Sequence, residues 1–327
     1  MSWAGWWAEL LTGQVIEVNM ESLQKTKSRI RAVKNIGQIT KAMEVVAATK
    51  MRKSQEVALR SRPYAFKALE LLSVLAKHAE IKTDLMTKRD IKKTLLVIVT
   101  SDRGLAGSFN SQVLRVADSF LKSYDVTSYK LQVVPVGKKA ISYVGKKKLD
   151  SVESFYGFGD FIEPSETFHL SDKIISWFLS GQWGRVMTIS THFRSTLKQE
   201  VLLRQVLPVD LEKIQKTISE IIPEHGKFSG IHDTRYTIQD ASTDYLFEPT
   251  PKELVESLID HLVRMQIYHL VLEANASEHS ARMVAMKTAS DNAKELSEKL
   301  NLEYNKARQA GITKELIEIT SAVNTLQ

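Results

Sequence analysis

Three features of the sequence are of the types and spacings that could do chemistry. The first is a glycine-bearing loop, Ser101-Asp102-Arg103-Gly104-Leu105-Ala106-Gly107-Ser108-Phe109-Asn110, which follows the apolar, β-branched run Thr94 to Thr100. Loops of this kind between a strand and a helix bind phosphate, because backbone N–H groups at a helix start attract anions. This one ends without the Gly-Lys-Ser/Thr of a phosphate loop and lacks the Gly-x-Gly-x-x-Gly spacing of a dinucleotide site. A structural turn is the expectation, with no nucleotide cofactor. The second feature is a histidine pair, His269 and His279, on one apolar stripe. With no carboxylate or cysteine read in register, no metal is expected there. The third is hydroxyl, imidazole and carboxylate groups for nucleophilic catalysis, and no serine, histidine and aspartate stand in a recognised arrangement. No catalytic residue is assigned. The chain contains no cysteine, which excludes disulfides, thiolate metal sites and cysteine nucleophiles.

The elements around these features are of two kinds. From Lys252 to Gln327 there is no proline and one glycine, Gly311, and from Met20 to Arg62 there is no proline and only Gly37. Proline breaks helices and glycine weakens them, so each end can run as one long helix. At ~1.5 Å per residue the later one spans ~110 Å, more than one ordinary domain covers. Ile30, Val33, Ile36 or Gly37, Met43 and Val46 recur at steps of three and four. So do Leu258, Leu262, Met265, His269, Leu272, Ala276, His279, Met283, Met286, Ser290, Ala293, Leu296 and Leu300. A stripe this narrow is that of helices packed along a seam, and an antiparallel pair within the chain is expected. The helix start is marked by Thr250 as N-cap and Pro251 as first residue.

Between the helices the period changes. Thr94–Thr100, Lys130–Val136 and Arg185–Phe193 read as strands, alternating with helical stretches at Asn110–Lys122 and Glu166–Leu179, and Leu197–Val206 adds a further strand. This is an open, mostly parallel, Rossmann-like α/β domain. Lys138–Lys148, with five lysines, reads as a solvated helix and turn. The expected division is an N-terminal extension at 1–19, a coiled-coil helix at 20–80, the α/β domain at 81–209, a variable connection at 210–248 and a second coiled-coil helix at 249–327.

The net charge of +7 is concentrated. Between Glu21 and Arg62 eleven basic residues face three acidic ones. Such a helix can meet nucleic acid, an anionic membrane or an acidic protein surface. The segment has no aromatic residue on which bases could stack, so nucleic acid is not expected. No run approaches the ~18 apolar residues of a membrane-spanning helix.

Several strings resemble a known family. They are Lys41 to Lys53 (KAMEVVAATKMRK), Ser101 to Asn110 (SDRGLAGSFN), Tyr245 to Pro249 (YLFEP), Ala281 to Lys287 (ARMVAMK), Tyr304 to Ala310 (YNKARQA) and Ile312 to Ile319 (ITKELIEI). Together, collinear from about Met20 to the end, they resemble the gamma subunit of F-type ATP synthases of bacteria. The resemblance implies an antiparallel helix pair inserted among three alpha and three beta subunits. The α/β domain would lie at its foot with the epsilon subunit and the membrane c-ring. It implies rotation coupled to ATP synthesis or hydrolysis, with nucleotides on the partners and none here. Residue by residue, Met43, Arg282, Arg308, Gln309, Thr313 and Glu318 match contacts to the catalytic subunits, and Tyr245 and Glu248 match the ring-side foot. The implied location is peripheral, on the cytoplasmic face of a bacterial cell membrane.

The sequence departs from the family in three places. The terminal signature usually ends in a Gly-Ala pair where Ala322 and Val323 stand here, followed by Asn324. The redox cysteines of chloroplast members are missing. The first nineteen residues, with Trp3, Trp6 and Trp7, lie outside the resemblance. They lack the basic start of a secretory signal and the arginine of a transit peptide. Tryptophan also favours membrane interfaces. The expectation is a mis-assigned start, with Met20 as initiator. Two functions of other classes compete. A tethering coiled coil explains the ends but not the centre, and a nucleotide-using enzyme explains the centre but not its missing phosphate ligands.

Overall fold

The computed structural model describes residues 3–78, 83–89, 93–124, 130–210 and 250–325, with α1 side chains from Leu23 to Ala58 and at Ala68 and Leu71. The order is α1 (Trp3–His78), β1 (Lys93–Val99), α2 (Phe109–Ser123), β2 (Lys130–Val136), α3 (Lys138–Lys147), α4 (Pro164–Leu179), β3 (Arg185–Phe193), β4 (Gln199–Leu207) and α5 (Pro251–Thr325). The chain divides into two units, one of residues 1–45 with 286–327 and one of residues 46–285.

In the second unit the strands form one sheet in the order β2-β1-β3-β4. β1 runs parallel to both β2 and β3, and β4 is antiparallel to β3. Both faces are covered, which is why β1 reads as an unbroken apolar run. Leu95, Val97 and Val99 join a core with Leu170, Ile174 and Phe178 of α4 and with Ile259, Val263 and Ile267 of α5. Leu96 and Ile98 point the other way, onto Val113 and Ala117 of α2 and Ala140 and Val144 of α3. β4 starts two residues later than expected because the turn from β3 claims Leu197, which is 82% exposed. α4 opens on a reciprocal cap between Glu163 and Glu166 with Pro164 at its first position. α5 begins as expected, with the Glu253 N–H donating to Thr250 Oγ1 at 3.3 Å. Within this unit Met51 shares a cluster with Ala276 and Met283. Ser54 reaches Asn275. Numbers rise along α1 as they fall along α5, so the helices run antiparallel.

In the first unit α1 and α5 pack along a seam that mixes apolar with small residues. On α1 the inward positions are Leu23, Thr26, Ile30, Val33, Gly37 and Thr40, an unbroken alternation of three and four. On α5 they are Met286, Ser290, Ala293, Ser297, Leu300 and Tyr304. That alternation is the heptad repeat of a coiled coil. Two expectations shift by one residue. Ser297 is inside and Leu296 is 45% exposed, while Ala47 of the second unit is inside and Val46 is 52% exposed. Gly37 lies so near α5 that a Cβ on it would sit 3.5 Å from that of Ala293. α1 also begins earlier than expected, at Trp3, through a stretch that contains no proline.

Candidate functional site

The glycine-bearing loop sits at the carboxyl end of β1, beside a cleft of about 380 Å³ between Val99, Val136, the 157–162 segment and α5. In folds of this class an anion would be held there by backbone N–H groups at the start of α3. The chain fills that position itself. Asp102 accepts from the backbone N–H of Lys138 at 2.8 Å and of Gly157 at 2.7 Å. Thr100 Oγ1 accepts from Ala140 N–H at 2.8 Å. The approach also demands glycine, because Gly137 has φ +93° and a Cβ there would lie 2.3 Å from Thr100 O. On its other side the loop is closed by Asn110, whose Oδ1 accepts from Ser101 N at 3.0 Å.

The loop is docked on α5. Gly107 passes Ala285 and Ala281, where an added Cβ would be 3.6 Å from Ala285 Cβ. Arg282 donates to Gly104 O at 3.3 Å and is paired with Glu278. Its other terminal nitrogen lies 3.2 Å from His279 Nδ1. A guanidinium only donates, so Nδ1 is the acceptor and Nε2 carries the imidazole proton. Nε2 faces Asp160 Oδ1 at 3.8 Å, and Asp160 pairs with Lys50 of α1 at 2.6 Å. Asn275 ties the same segment through Gly159 O at 3.2 Å. Thus three of the strings that carried the resemblance, around Lys50, Gly104 and Arg282, meet in one network.

The charges in it are set by burial and by their partners. Burial opposes ionisation of Asp160, but Lys50, aided by His279 and Arg103, outweighs it and holds the carboxyl below its usual range. Burial, then Arg282, pushes His279 down to about 4, so it is neutral at pH 7. Burial raises Glu278, with Arg282 opposing.

A second buried group joins α5 to the sheet. Glu273 Oε2 lies 2.9 Å from His192 Nδ1 on β3 and 3.6 Å from Arg204 Nη1 on β4. Glu273 and His192 are 6% and 1% exposed. Burial would raise Glu273, yet the His192 hydrogen bond, with the charges of His192, Arg204 and His269, lowers it. Here the expectation about carboxylates fails. Glu273 lies one helical turn after His269, and Asp160 faces His279. Among the described residues no group of three or more histidine or carboxylate side chains is arranged to hold a metal ion.

The residues matched to catalytic-subunit contacts divide. Met43 is half-buried, in the first unit. Arg308, Gln309 and Thr313 are exposed, with Thr313 Oγ1 donating to Gln309 O at 2.9 Å. Glu318 is half-buried and 3.7 Å from Lys314. Arg282 is 9% exposed and bound to its own chain. Tyr245 and Glu248 lie outside the described residues. Ile36, the alternative to Gly37 for the seam, faces out, and it belongs to one of two outward apolar stripes of the first unit. Ile36 and Ile39 of α1 are 53% and 60% exposed, and Ile312, Leu316 and Ile319 of α5 are 50%, 58% and 62% exposed. Ile36, Ile39 and Met43 stand at i, i+3 and i+7, as do Ile312, Leu316 and Ile319 at i, i+4 and i+7, so each set shares one helix face.

Among the described residues no helix is long and apolar enough to cross a membrane. A family model described as ATP synthase matches residues 22–326. The ATP synthase gamma chain of Roseiflexus castenholzii is 37% identical over 310 residues, 94% of this chain and 99% of that one. That of Geobacter metallireducens is 36% identical over 311 residues, 94% of this chain and all of its own length. Among solved structures, a chain of the Euglena gracilis mitochondrial ATP synthase (OSCP/F1/c-ring, rotational state 3) aligns with a TM-score of 0.61 at 20% identity, covering 94% of this chain and 95% of that one. A chain of the Tetrahymena thermophila mitochondrial enzyme, from its central stalk and c-ring, aligns at 0.54 with 24% identity over 77% of this chain and 99% of that one. Those two likenesses speak for the fold, whereas the family model and the full-length relatives speak for descent: this chain belongs to the family of ATP synthase gamma chains.

Proposed function

We infer that this chain is the rotating central-stalk subunit of an F-type ATP synthase, carrying rotation of a membrane c-ring to a ring of three alpha and three beta subunits. The observation that carries the reading beyond family membership is the pair of outward apolar stripes on the coiled coil. A chain that folded alone would gain by covering Ile36, Ile39, Ile312, Leu316 and Ile319, and their exposure fits a surface built to lie within partners. Arg308, Gln309, Thr313 and Glu318 stand among the α5 residues of that surface, and Met43 continues the α1 stripe. Polar groups there make hydrogen bonds that depend on orientation, strongest where one partner is charged. An asymmetric rotor acts by favouring a different conformation of each catalytic subunit at each angle, which is the differential interaction a population shift requires.

The subunit itself needs no catalytic residue or cofactor in this reading, since nucleotide chemistry belongs to the alpha and beta subunits. Asp102 in the place of a phosphate supports that. Tyr245 and Glu248 are assigned to the ring-side foot, with epsilon as a neighbour. Arg282 is retained as a contact to the catalytic subunits only through its place in the family string. The proposed location is peripheral, on the cytoplasmic face of a bacterial membrane. Purified alone, the chain neither binds ATP tightly nor hydrolyses it. Co-expressed with alpha and beta subunits, it copurifies as one complex, and a bead fixed to it turns during hydrolysis. An assembled complex that hydrolyses ATP with a stationary bead defeats the reading.

A further inference from the structure

α5 bears an unusual mixture where it crosses the sheet domain. Between Glu273 and Ala285 four of the buried residues are small, Ala274, Ala276, Ser277 and Ser280, all at 3% exposure or less, and the larger buried ones, Glu273, His279 and Arg282, are polar. A surface of alanine and serine packs closely but has few apolar knobs, so within this stretch apolar packing alone resists sliding or turning of the helix poorly. Apolar contact is non-directional. Directional contacts are present instead. Glu273 is held by His192 of β3 and lies near Arg204 of β4. Ser280 Oγ donates to Thr196 O in the β3–β4 turn at 2.8 Å and lies 3.3 Å from Gln199 Nε2. A buried ion cluster rarely adds net stability over an apolar replacement, and its best-attested use is to fix register.

We propose that Glu273, with His192 and Arg204, is a register-setting group that fixes the angle and height of α5 against the sheet, so that turning force applied to the sheet domain reaches the helix without slip. His192, Arg204 and Glu273 are positioning residues. They touch no nucleotide and act through the helix that carries the contacts to the catalytic subunits. The carboxylate can only accept, so His192 Nδ1 donates to it, and the pair has one geometry at hydrogen-bond length. A helix rotated by one residue, ~100°, would carry Glu273 out of reach of both partners and leave a charge buried without a counter-ion. This role rests on the rotor reading, because a register matters here only if force crosses it.

The test separates register from stability. In the assembled, vesicle-reconstituted complex, ATP hydrolysis and ATP-driven ion uptake are measured together for the unaltered chain and two variants. Glu273→Gln keeps the volume and the acceptor for His192 but removes the charge. The triple variant His192→Leu, Arg204→Met and Glu273→Met replaces the cluster by apolar side chains of similar size. Melting of each full-length chain is followed by circular dichroism. The triple variant is expected to melt no lower than the unaltered chain and to hydrolyse ATP, while the ions taken up per ATP fall. Glu273→Gln falls in the same direction by less. Unchanged ion uptake per ATP in the triple variant, or in Glu273→Gln should the triple variant not fold, overturns the proposal. So does a parallel loss of hydrolysis and uptake at constant ratio, which marks a purely structural role. Absence of coupled uptake with the unaltered chain would count instead against the rotor reading.

Discussion

One helix, α5, lives in two environments, and the contrast separates what specifies a fold from what specifies a working surface. From Val255 to Ala285 it is wrapped by the sheet domain, with Ile259, Leu262, Val263, Leu272 and Ser280 at 2% exposure or less. From Met286 onward only one position in three or four is covered, by α1 along a seam of Ser290, Ala293, Ser297 and Leu300. From Leu262 to Ala285 no residue of the helix is exposed, so a charged group turned inward there calls for a partner. The second stretch has a single narrow contact and leaves its remaining faces to water or to partners. Ionisable groups in the wrapped part, such as Glu273, His279 and Arg282, are bound to the chain's own residues, whereas Arg308 and Gln309 in the open part are exposed.

The largest test of the contrast is truncation in the wrapped part. Ile259→Ala removes a side chain with no exposure and is expected to cost about 2–5 kcal/mol, the transfer term plus a cavity. Leu300→Ala, in the narrow seam, is expected near the lower end of that range, since water and side-chain relaxation can fill the gap. Denaturant melts of the full chain, with hydrogen exchange to show which amides open, measure both. Equal costs would mean that the seam is as close-packed as the sheet domain.

Next comes acid. The pKa of His279 is lowered to about 4, against ~6.5 when unfolded. Between those values the unfolded chain binds a proton that the folded one does not, so stability is complete above about 6.5 and falls as pH drops toward 4. The loss approaches ~3 kcal/mol at the low end. His279→Asn, which cannot take the proton, is expected to flatten that part of the pH–stability curve. An identical slope in the variant assigns the acid sensitivity to other groups.

Much of this architecture could be read from sequence, and what could not has a common cause. The strand β1 was legible because Leu95 to Val99, buried on both faces, form an unbroken apolar run. The start of α5 was legible because Thr250 and Pro251 act locally. The inward position is Ser297 where Leu296 was expected and Ala47 where Val46 was, because the expectation followed the more hydrophobic of two neighbours and hydrophobicity alone does not fix which of them turns inward. Glu273 was missed as a partner because His192 and Arg204 stand about 70 to 80 residues earlier, and nothing local marks a pair that only the sheet brings together. The self-filled anion position likewise depends on Asp102 meeting Lys138 and Gly157 across the chain.

A smaller effect probes the seam with its sign reversed. Gly37 sits inside a helix, where glycine costs roughly 0.5–1 kcal/mol relative to alanine. A Cβ there would meet Ala293 Cβ at 3.5 Å, an ordinary contact. Gly37→Ala is therefore expected to stabilise the chain by about that amount, visible as a raised melting temperature. Gly37→Leu, too large for the approach, is expected to destabilise it. A fall in melting temperature with alanine would show that the helices come closer in solution than 3.5 Å allows.

The smallest expected change in stability tests the open surface. Leu316, 58% exposed, has little to lose in the isolated chain, and Leu316→Gln should shift stability by no more than ~0.5 kcal/mol. The same holds for Arg308→Ala and Gln309→Ala. In the assembled complex the expectation differs. Each removes a group available to the catalytic subunits, so coupled ATP turnover falls while assembly survives. The decisive quantity is the difference between the two settings. Apolar core residues of the wrapped part, such as Ile259, should lose stability and turnover together, and outward residues of the open part should lose turnover alone. Full turnover in assembled Arg308→Ala and Gln309→Ala complexes would remove both from the contact surface and leave the apolar stripe to carry it.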